Sequence, residues 1–178
     1  MDAEGVLVES APSCLAFSHN GKTLVSGHSD HRIRVWDPRA GGEKATWEGH
    51  GAYVKWLAFS ADDKTLVSTA SSNELLVWDA ETGRPRHTLT GQEGWFLSLC
   101  LSPDGRTLVT GGARKTDGRL TGEVILWDVR EGKLKARLPH AEAVRAVAFS
   151  PDGKTLATGT SAGGYEQQSG TLRLWHLK

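Results

Sequence analysis

Two pairs of residues have the types needed for nucleophilic catalysis, namely a hydroxyl side chain and a histidine that could act as its base. They are Ser68 with His50 and Thr158 with His140. An active site of this kind needs one asymmetric constellation of nucleophile, base and oxyanion donor. Here the same residue types recur along the chain in step with a tryptophan. Such recurrence favours a structural hydrogen-bond device, so we expect no enzyme activity and no catalytic residue.

A second candidate for chemistry is the cluster of His28, Asp30 and His31. Imidazole and carboxylate groups are good ligands for zinc or nickel. Neighbouring residues on one short turn cannot all converge on an ion, however, and this favours a solvated turn. The glycine clusters lie at hairpin turns with no helix after them, which argues against a phosphate-binding loop. We therefore expect no metal site and no cofactor.

The composition narrows the choice of partners. The chain of 178 residues has 21 Lys plus Arg and 21 Asp plus Glu, so no net field attracts nucleic acid or an anionic membrane. No apolar run approaches the roughly 20 residues that span a bilayer. Cys14 and Cys100 stand alone in apolar runs, which is typical of free thiols. We expect neither nucleic acid nor a membrane as a partner, and a cytoplasmic location.

Four internal repeats organise the chain. The strongest anchors are tryptophans spaced by 42, 49 and 48 residues: Trp36, Trp78, Trp127 and Trp175. A second motif has four copies as well: FSHNGKTL (17–24), FSADDKTL (59–66), LSPDGRTL (101–108) and FSPDGKTL (149–156). Its last copy has Pro151 and Gly153 at the second and fourth positions that suit a type I turn. Short alternating runs between such turns, four to a unit, predict the blades of a β-propeller.

At these residues the chain resembles the WD-repeat family, from about Val6 to Leu177. The resemblance implies an all-β propeller of four four-stranded antiparallel blades in a single domain, residues 1–178. The repeats would cover about 11–49, 50–91, 92–139 and 140–178.

In that family, hydrogen bonds within a blade join a tryptophan to a Ser or Thr, a His and an Asp. The resemblance assigns this structural role to Ser26, Asp30 and Trp36 in unit one, His50, Ser68 and Trp78 in unit two, Thr110 and Trp127 in unit three, and His140, Thr158 and Trp175 in unit four. Unit one has no histidine at the expected position. Unit two has Ser72 where the acid is expected, and unit three has Gln92 in the histidine position.

The resemblance further implies a scaffold that binds a protein or peptide on its loop-rich face. Two lengthened turns, residues 113–120 and 162–168, and the starts of the innermost strands lie on that face. The predicted contact residues are Tyr53, Lys55, Trp95, Arg114, Lys115, Arg119, Arg145 and Tyr165. Ser13 and Leu97 belong to the same ring of strand starts. Two alternatives stay open: long turns are tolerated at a surface without any function, and Trp95 packs under a neighbouring loop or closes the interface between blades.

The ends of the sequence complement each other. Val6–Glu9 has the pattern of an outermost strand, and the sequence closes on Thr171 to Leu177, the third strand of a blade that lacks its outermost one. Three arrangements are open: four blades that close on themselves, a homodimer that forms an eight-bladed ring, or a piece of a longer propeller. We take the homodimer, in which Val6–Glu9 completes the last blade of the partner, as the leading hypothesis. Self-assembly into such a ring is the alternative function.

Overall fold

The computed structural model describes residues 9–161 and 169–177, which contain fifteen β-strands and no helix. Blade 1 consists of β1 (Pro12–Phe17), β2 (Leu24–His28), β3 (Ile33–Asp37) and β4 (Gly42–Trp47). Blade 2 consists of β5 (Val54–Phe59), β6 (Thr65–Ala70), β7 (Leu75–Asp79) and β8 (Pro85–Leu89). Blade 3 consists of β9 (Trp95–Leu101), β10 (Thr107–Thr116), β11 (Arg119–Asp128) and β12 (Lys133–His140). Blade 4 consists of β13 (Ala143–Phe149), β14 (Thr155–Ser161) and β15 (Leu172–His176).

Each sheet is an antiparallel meander in which every strand pairs with the next one along the chain. Blades 1 to 3 have the predicted four strands, whereas blade 4 has three among the described residues. Of the predicted fourth strand, Val6–Glu9, only Glu9 is described, and it forms a bend. The exchange of that strand between two copies therefore stays a prediction.

Every blade has two different apolar faces, because side chains alternate across a strand. We call the face that carries the tryptophan of the third strand the tryptophan face, and the opposite one the reverse face. The tryptophan face of blade 2 carries Leu57, Phe59, Leu66 and Trp78. Its reverse face carries Val67, Leu75 and Val77.

The blades stack in one direction, so that the tryptophan face of each blade packs on the reverse face of the blade before it. Between blades 1 and 2, Trp78 and Leu66 pack against Val25, Ile33 and Val35. Between blades 2 and 3, Trp127 and Leu108 of blade 3 pack on the reverse face of blade 2. Between blades 3 and 4, Trp175 and Leu156 of blade 4 pack on the reverse face of blade 3. Three equivalent junctions thus form the core.

The stack is open at both ends. The tryptophan face of blade 1 exposes Leu15 (63%) and Phe17 (59%), and the reverse face of blade 4 exposes Leu172 (72%) and Leu174 (59%). These residues would be buried if blade 4 packed on blade 1 of the same chain. The described residues therefore do not form a closed four-bladed ring.

The turns between the first and second strands of the blades explain the repeated motif. In blade 3, the Ser102 hydroxyl donates to Asp104 (2.5 Å), whose carboxylate also accepts the backbone N–H of Arg106 (3.0 Å). The Ser102 hydroxyl in turn accepts the N–H of Thr107 (2.9 Å). In blade 4 the N–H of Gly153 donates to the carbonyl of Ser150 (2.8 Å), which confirms the turn expected from the Pro and Gly positions.

The first of the two long turns is an extended hairpin and not a loop. Strands β10 and β11 pair without interruption from Thr107–Asp128 to Thr116–Arg119. The two residues between them, Asp117 and Gly118, both have positive φ, as a tight turn of type I′ requires. Seven extra residues are accommodated as additional ladder rungs, because pairing satisfies backbone groups that a loop would leave to water. The second long turn, residues 162–168, lies outside the described residues, together with Tyr165.

The interblade junctions should dominate the stability of the chain. Leu108 is fully buried between blades 2 and 3, so Leu108→Ala should lower the free energy of unfolding by about 2–5 kcal/mol. Leu134→Ala is the matched control, since this leucine of blade 3 is exposed and should cost well under about 1 kcal/mol. Urea unfolding followed by tryptophan fluorescence measures both. Equal costs for the two variants would contradict the stacked core.

Candidate interaction surface

Within blade 2, a chain of hydrogen bonds ties the tryptophan to the edge of the sheet. The indole N–H of Trp78 donates to the Ser68 hydroxyl (2.7 Å), which donates to Nε2 of His50 (2.6 Å). The Nδ1–H of His50 donates to the carboxylate of Glu74 (2.8 Å). The acid is thus Glu74 and not a residue at position 72. Glu74 lies after the turn at Asn73 and just before β7, and its side chain is long enough to reach the same histidine.

Blade 1 has the same series of hydrogen bonds, but its histidine lies on the second strand, β2, and not before the first strand. Trp36 donates to Ser26 (2.7 Å), and Ser26 donates to Nε2 of His28 (2.7 Å), whose Nδ1–H donates to the carbonyl of Ser10 (2.8 Å). Unit one has no histidine at the expected position, and His28 on β2 takes that place in the hydrogen-bond set. Ser26 and His28 are two residues apart on β2, so both side chains lie on one face of the strand. This spacing was the signal in the sequence.

Asp30 also differs from the family pattern, because within the described residues its carboxylate is hydrogen-bonded to arginines and not to a histidine. Its carboxylate binds the guanidinium of Arg34 through two contacts, of 2.7 and 3.3 Å. The hydrogen bond from Arg34 lowers the pKa of Asp30 below its ordinary value. Asp30 therefore fixes the turn between β2 and β3 through an ion pair.

Blades 3 and 4 show two further variants. In blade 3, Trp127 donates to Thr110 (3.0 Å), and Thr110 donates to the amide oxygen of Gln92 (2.6 Å). In blade 4, Trp175 donates to Thr158 (3.1 Å), and Thr158 donates to Nε2 of His140 (3.1 Å). His140 donates its other ring N–H to the carbonyl of Leu138 (3.0 Å). The side-chain amide of Gln92 in blade 3 and the backbone carbonyl of Leu138 in blade 4 thus replace part of the hydrogen-bond series found in blade 2.

These hydrogen bonds satisfy buried polar groups within each blade. The four hydroxyls are all buried, and each accepts an indole N–H while it donates to a histidine or glutamine: Ser26, Ser68, Thr110 and Thr158. Each hydroxyl thus has both a donor and an acceptor role within its own blade. Burial raises the pKa of the Cys14 thiol and raises that of Cys100 to about 12, which lowers the fraction of the nucleophilic thiolate at neutral pH.

The candidate metal ligands point to different partners. Both ring nitrogens of His28 are engaged with Ser26 and Ser10, and Asp30 is engaged with Arg34. Across residues 9–161 and 169–177, no three His, Cys, Asp or Glu residues are grouped so that they could hold an ion.

The predicted contact residues at the starts of the innermost strands share a structural feature. Each of the four strands has a β-bulge near its first residue, and the bulged residues are Ser13, Lys55, Leu97 and Arg145. A bulge re-aims the side chains beside it and ends regular pairing. The bulges lie at the end of the sheets from which the β10–β11 hairpin projects. We call this end of the blades the hairpin face.

Aromatic and cationic side chains are displayed on the hairpin face. Trp95 begins β9 opposite Ala113, and 51% of it is exposed. Tyr53 is exposed as well, and the ammonium of Lys55 lies 5.5 Å from the centre of its ring. Arg145 is exposed at its bulge. Ser13 differs, because its hydroxyl lies within hydrogen-bond distance of the carbonyls of Gly27 (3.0 Å) and Val54, and so it joins blades 1 and 2.

The hairpin carries the remaining predicted contacts. Arg114 is half-buried and forms an ion pair with Glu93 (2.9 Å). Lys115 and Arg119 are exposed close to the turn, and neither forms an ion pair within the described part of the chain. Leu120 adds an exposed apolar side chain beside them. The tip of the hairpin is therefore basic and partly apolar.

Four antiparallel sheets, stacked in one direction with a tryptophan in each third strand, fit the blades of a β-propeller. The family of the WD domain, G-beta repeat, matches residues 7–37, 41–79, 83–128 and 132–176. The chain therefore belongs to the WD-repeat family, whose members generally act as non-catalytic scaffolds for protein interaction. The second matched segment contains β4 of blade 1 together with β5–β7 of blade 2, so that one sequence repeat joins two neighbouring sheets. No curated protein matches the chain.

No helix in the described part of the chain is long and apolar enough to cross a membrane.

The buried histidine of blade 2 should make the stability of the chain depend on pH. Burial lowers the pKa of His50 below its ordinary value of 6.5, and the Glu74 carboxylate partly opposes this shift. The unfolded chain takes up a proton near pH 6.5 while the folded chain keeps His50 neutral. The free energy of unfolding should therefore fall as pH drops through that value, by at most about 1.4 kcal/mol per pH unit for one site.

Urea unfolding between about pH 8 and 5 tests this expectation. His50→Gln should flatten the decline, and glutamine suits the position because Gln92 accepts the equivalent hydrogen bond in blade 3. Glu74→Gln should steepen the decline, since it removes the group that raises the pKa of His50. Identical pH profiles for the wild type and His50→Gln would show that His50 does not cause the loss of stability at low pH.

Proposed function

We propose that this chain is a binding scaffold whose hairpin face holds an extended protein segment. The observation that carries the proposal is the exposure of Trp95 beside a basic hairpin whose two strands are continuously paired. Aromatic and arginine side chains are the types that dominate binding energy at interfaces. The proposed contacts are Tyr53, Lys55, Trp95, Arg114, Lys115, Arg119 and Arg145, with Tyr165 carried over from the sequence prediction.

The chemistry of the hairpin face favours a peptide with acidic and apolar residues. Lys115 and Arg119 offer cations, and Trp95 and Leu120 offer apolar area. Strands β10 and β11 also extend beyond their neighbours, since Ala113 is the last partner of β9 and Gly122 the last partner of β12. The tip is therefore a two-stranded ribbon, and an extended peptide could pair with its edge. The charge balance of the whole chain supports a protein partner over nucleic acid.

A second candidate function is self-assembly. It is favoured by the exposed leucines and phenylalanine on the outward faces of blades 1 and 4. Two copies would then form an eight-bladed ring, with the hairpin face repeated twice around it.

A reducing, cytoplasmic setting is part of the same proposal and is supported by the two free cysteines, Cys14 and Cys100.

Selection of peptides from a displayed random library against the immobilised chain tests the scaffold function. We expect selected peptides to be acidic and to lose about 30-fold or more in affinity for Trp95→Ala, because a central interface tryptophan contributes about 2 kcal/mol or more. Arg145→Ala should weaken the same peptides. Leu134→Ala is the control, since it alters an exposed side chain of blade 3 outside the proposed contacts.

Far-UV circular dichroism of each variant establishes that the fold is intact. If the selected peptides bind Trp95→Ala and Arg145→Ala as tightly as the wild type, the hairpin face is not the binding surface.

A further inference from the structure

The outward faces of the two end blades have the residue types of faces that are buried elsewhere in the same chain. Leu172 and Leu174 precede Trp175 by three residues and by one. The residues at these two positions in the other blades are Ile33 and Val35, Leu75 and Val77, and Val124 and Leu126. All six are buried under the tryptophan face of the next blade. The reverse face of blade 4 thus has the surface of a covered face without its cover.

The tryptophan face of blade 1 is the matching half. Its Leu15, Phe17 and Leu24 correspond to Leu57, Phe59 and Leu66 of blade 2. The three residues of blade 2 are buried against blade 1, whereas Leu15 and Phe17 are exposed. One chain therefore carries both halves of the junction that it builds three times internally.

The uncovered face of blade 1 is also concave. Its groove has a volume of about 240 Å³ and is lined mainly by apolar side chains, among them Pro12, Leu15, Leu24 and Trp36. At each internal junction, aliphatic side chains of a reverse face fill the equivalent place. Leu172 and Leu174 are the protruding aliphatic side chains available for this groove.

The guanidinium of Arg34 also lies on the tryptophan face of blade 1, and it does not oppose docking. Arg34 occupies a position that holds Leu76 in blade 2 and Ile125 in blade 3. Its guanidinium is already bound by Asp30 (2.7 Å) and lies 3.7 Å from Glu43, and it is buried within its own blade. Covering this face would therefore bury no unpaired arginine, which would otherwise oppose association.

We infer that the occupant of each face is a second copy of this chain, so that blade 4 of one copy docks on blade 1 of the other. The inference deepens the self-assembly candidate and is independent of the hairpin face. The contact is heterologous, because it joins two different surfaces, and such contacts produce either a closed ring or an open filament. Two copies supply about eight blades, the upper end of the usual propeller range, and both junctions are then made at once.

Solution mass measured by light scattering after gel filtration tests this arrangement on the 178-residue chain. At tens of micromolar we expect twice the chain mass of 19.2 kDa. Leu174→Glu on the reverse face of blade 4 and Leu15→Glu on the tryptophan face of blade 1 should each give a monomer, since every junction in such a ring contains the altered face. Leu120→Glu at the exposed hairpin tip is the matched control and should stay dimeric.

Mixing the two monomeric variants distinguishes this head-to-tail contact from a contact between identical faces. Leu174→Glu retains an intact blade 1 face and Leu15→Glu retains an intact blade 4 face, so the mixture should form a heterodimer through one junction. A monomeric wild type, an open series of higher oligomers, a dimeric Leu174→Glu variant or a mixture that stays monomeric would each overturn the proposal. Circular dichroism establishes that the variants are folded, and binding of selected peptides by the monomers reports on the scaffold function separately.

Discussion

The structure depends on one packing interaction, in which the tryptophan face of each of blades 2 to 4 is covered by the reverse face of the blade before it. A single sheet has apolar side chains on both faces and cannot bury them alone, so stability comes from neighbours. The interaction is directional, because the two faces differ. Trp78, Trp127 and Trp175 each pack toward the preceding blade, and Trp36 occupies the same place in a blade that has no described predecessor.

Burial of the tryptophan creates a second requirement, which is that its indole N–H needs a partner. All four blades meet this requirement through a hydroxyl on the second strand, but the group behind the hydroxyl varies. His50 with Glu74, His28 with a backbone carbonyl, Gln92 alone, and His140 with a backbone carbonyl satisfy the same hydroxyl position. The hydroxyl is therefore the constant element, and the remaining groups adapt to the local chain. In blade 3 this adaptation leaves the amide nitrogen of Gln92 without a partner among the described residues.

The repeats allow the strands, the turns and the blade type to be predicted from the sequence, because spacing and alternation are local properties. The sequence did not reveal which acid or histidine completes a hydrogen-bond chain. Glu74 is two residues beyond the expected position, and His28 is on the strand instead of before it, so the family pattern points to neither residue. In the structure Glu74 reaches His50, and His28 reaches Ser26, for which their two-residue spacing was the one signal. The sequence predicts only a lengthened turn at residues 113–120, because polar residues without alternation do not indicate the ladder that continues to the Asp117-Gly118 turn.

The two proposed roles of the chain use different surfaces and can coexist. The hairpin face lies at the ends of the strands, whereas the docking faces lie on the broad sides of blades 1 and 4. A partner bound at Trp95 would therefore leave the ring junctions free. Pairing of two copies would also hold the hairpins of both copies on one rigid frame, which increases the effective concentration of the two sites for a divalent partner.

Hydrogen–deuterium exchange at two protein concentrations tests the packing interaction between blades most directly. At the lower concentration, where the chain is monomeric, amides of β2 and β3 in blade 1 should exchange faster than those of β6 and β7 in blade 2, although both pairs have complete ladders. At the higher concentration the exchange rates of the two sets of amides should become similar, because the partner copy covers the tryptophan face of blade 1. Equal protection of these strands in a monomeric chain would contradict the claim that each blade depends on a neighbour to cover its tryptophan face.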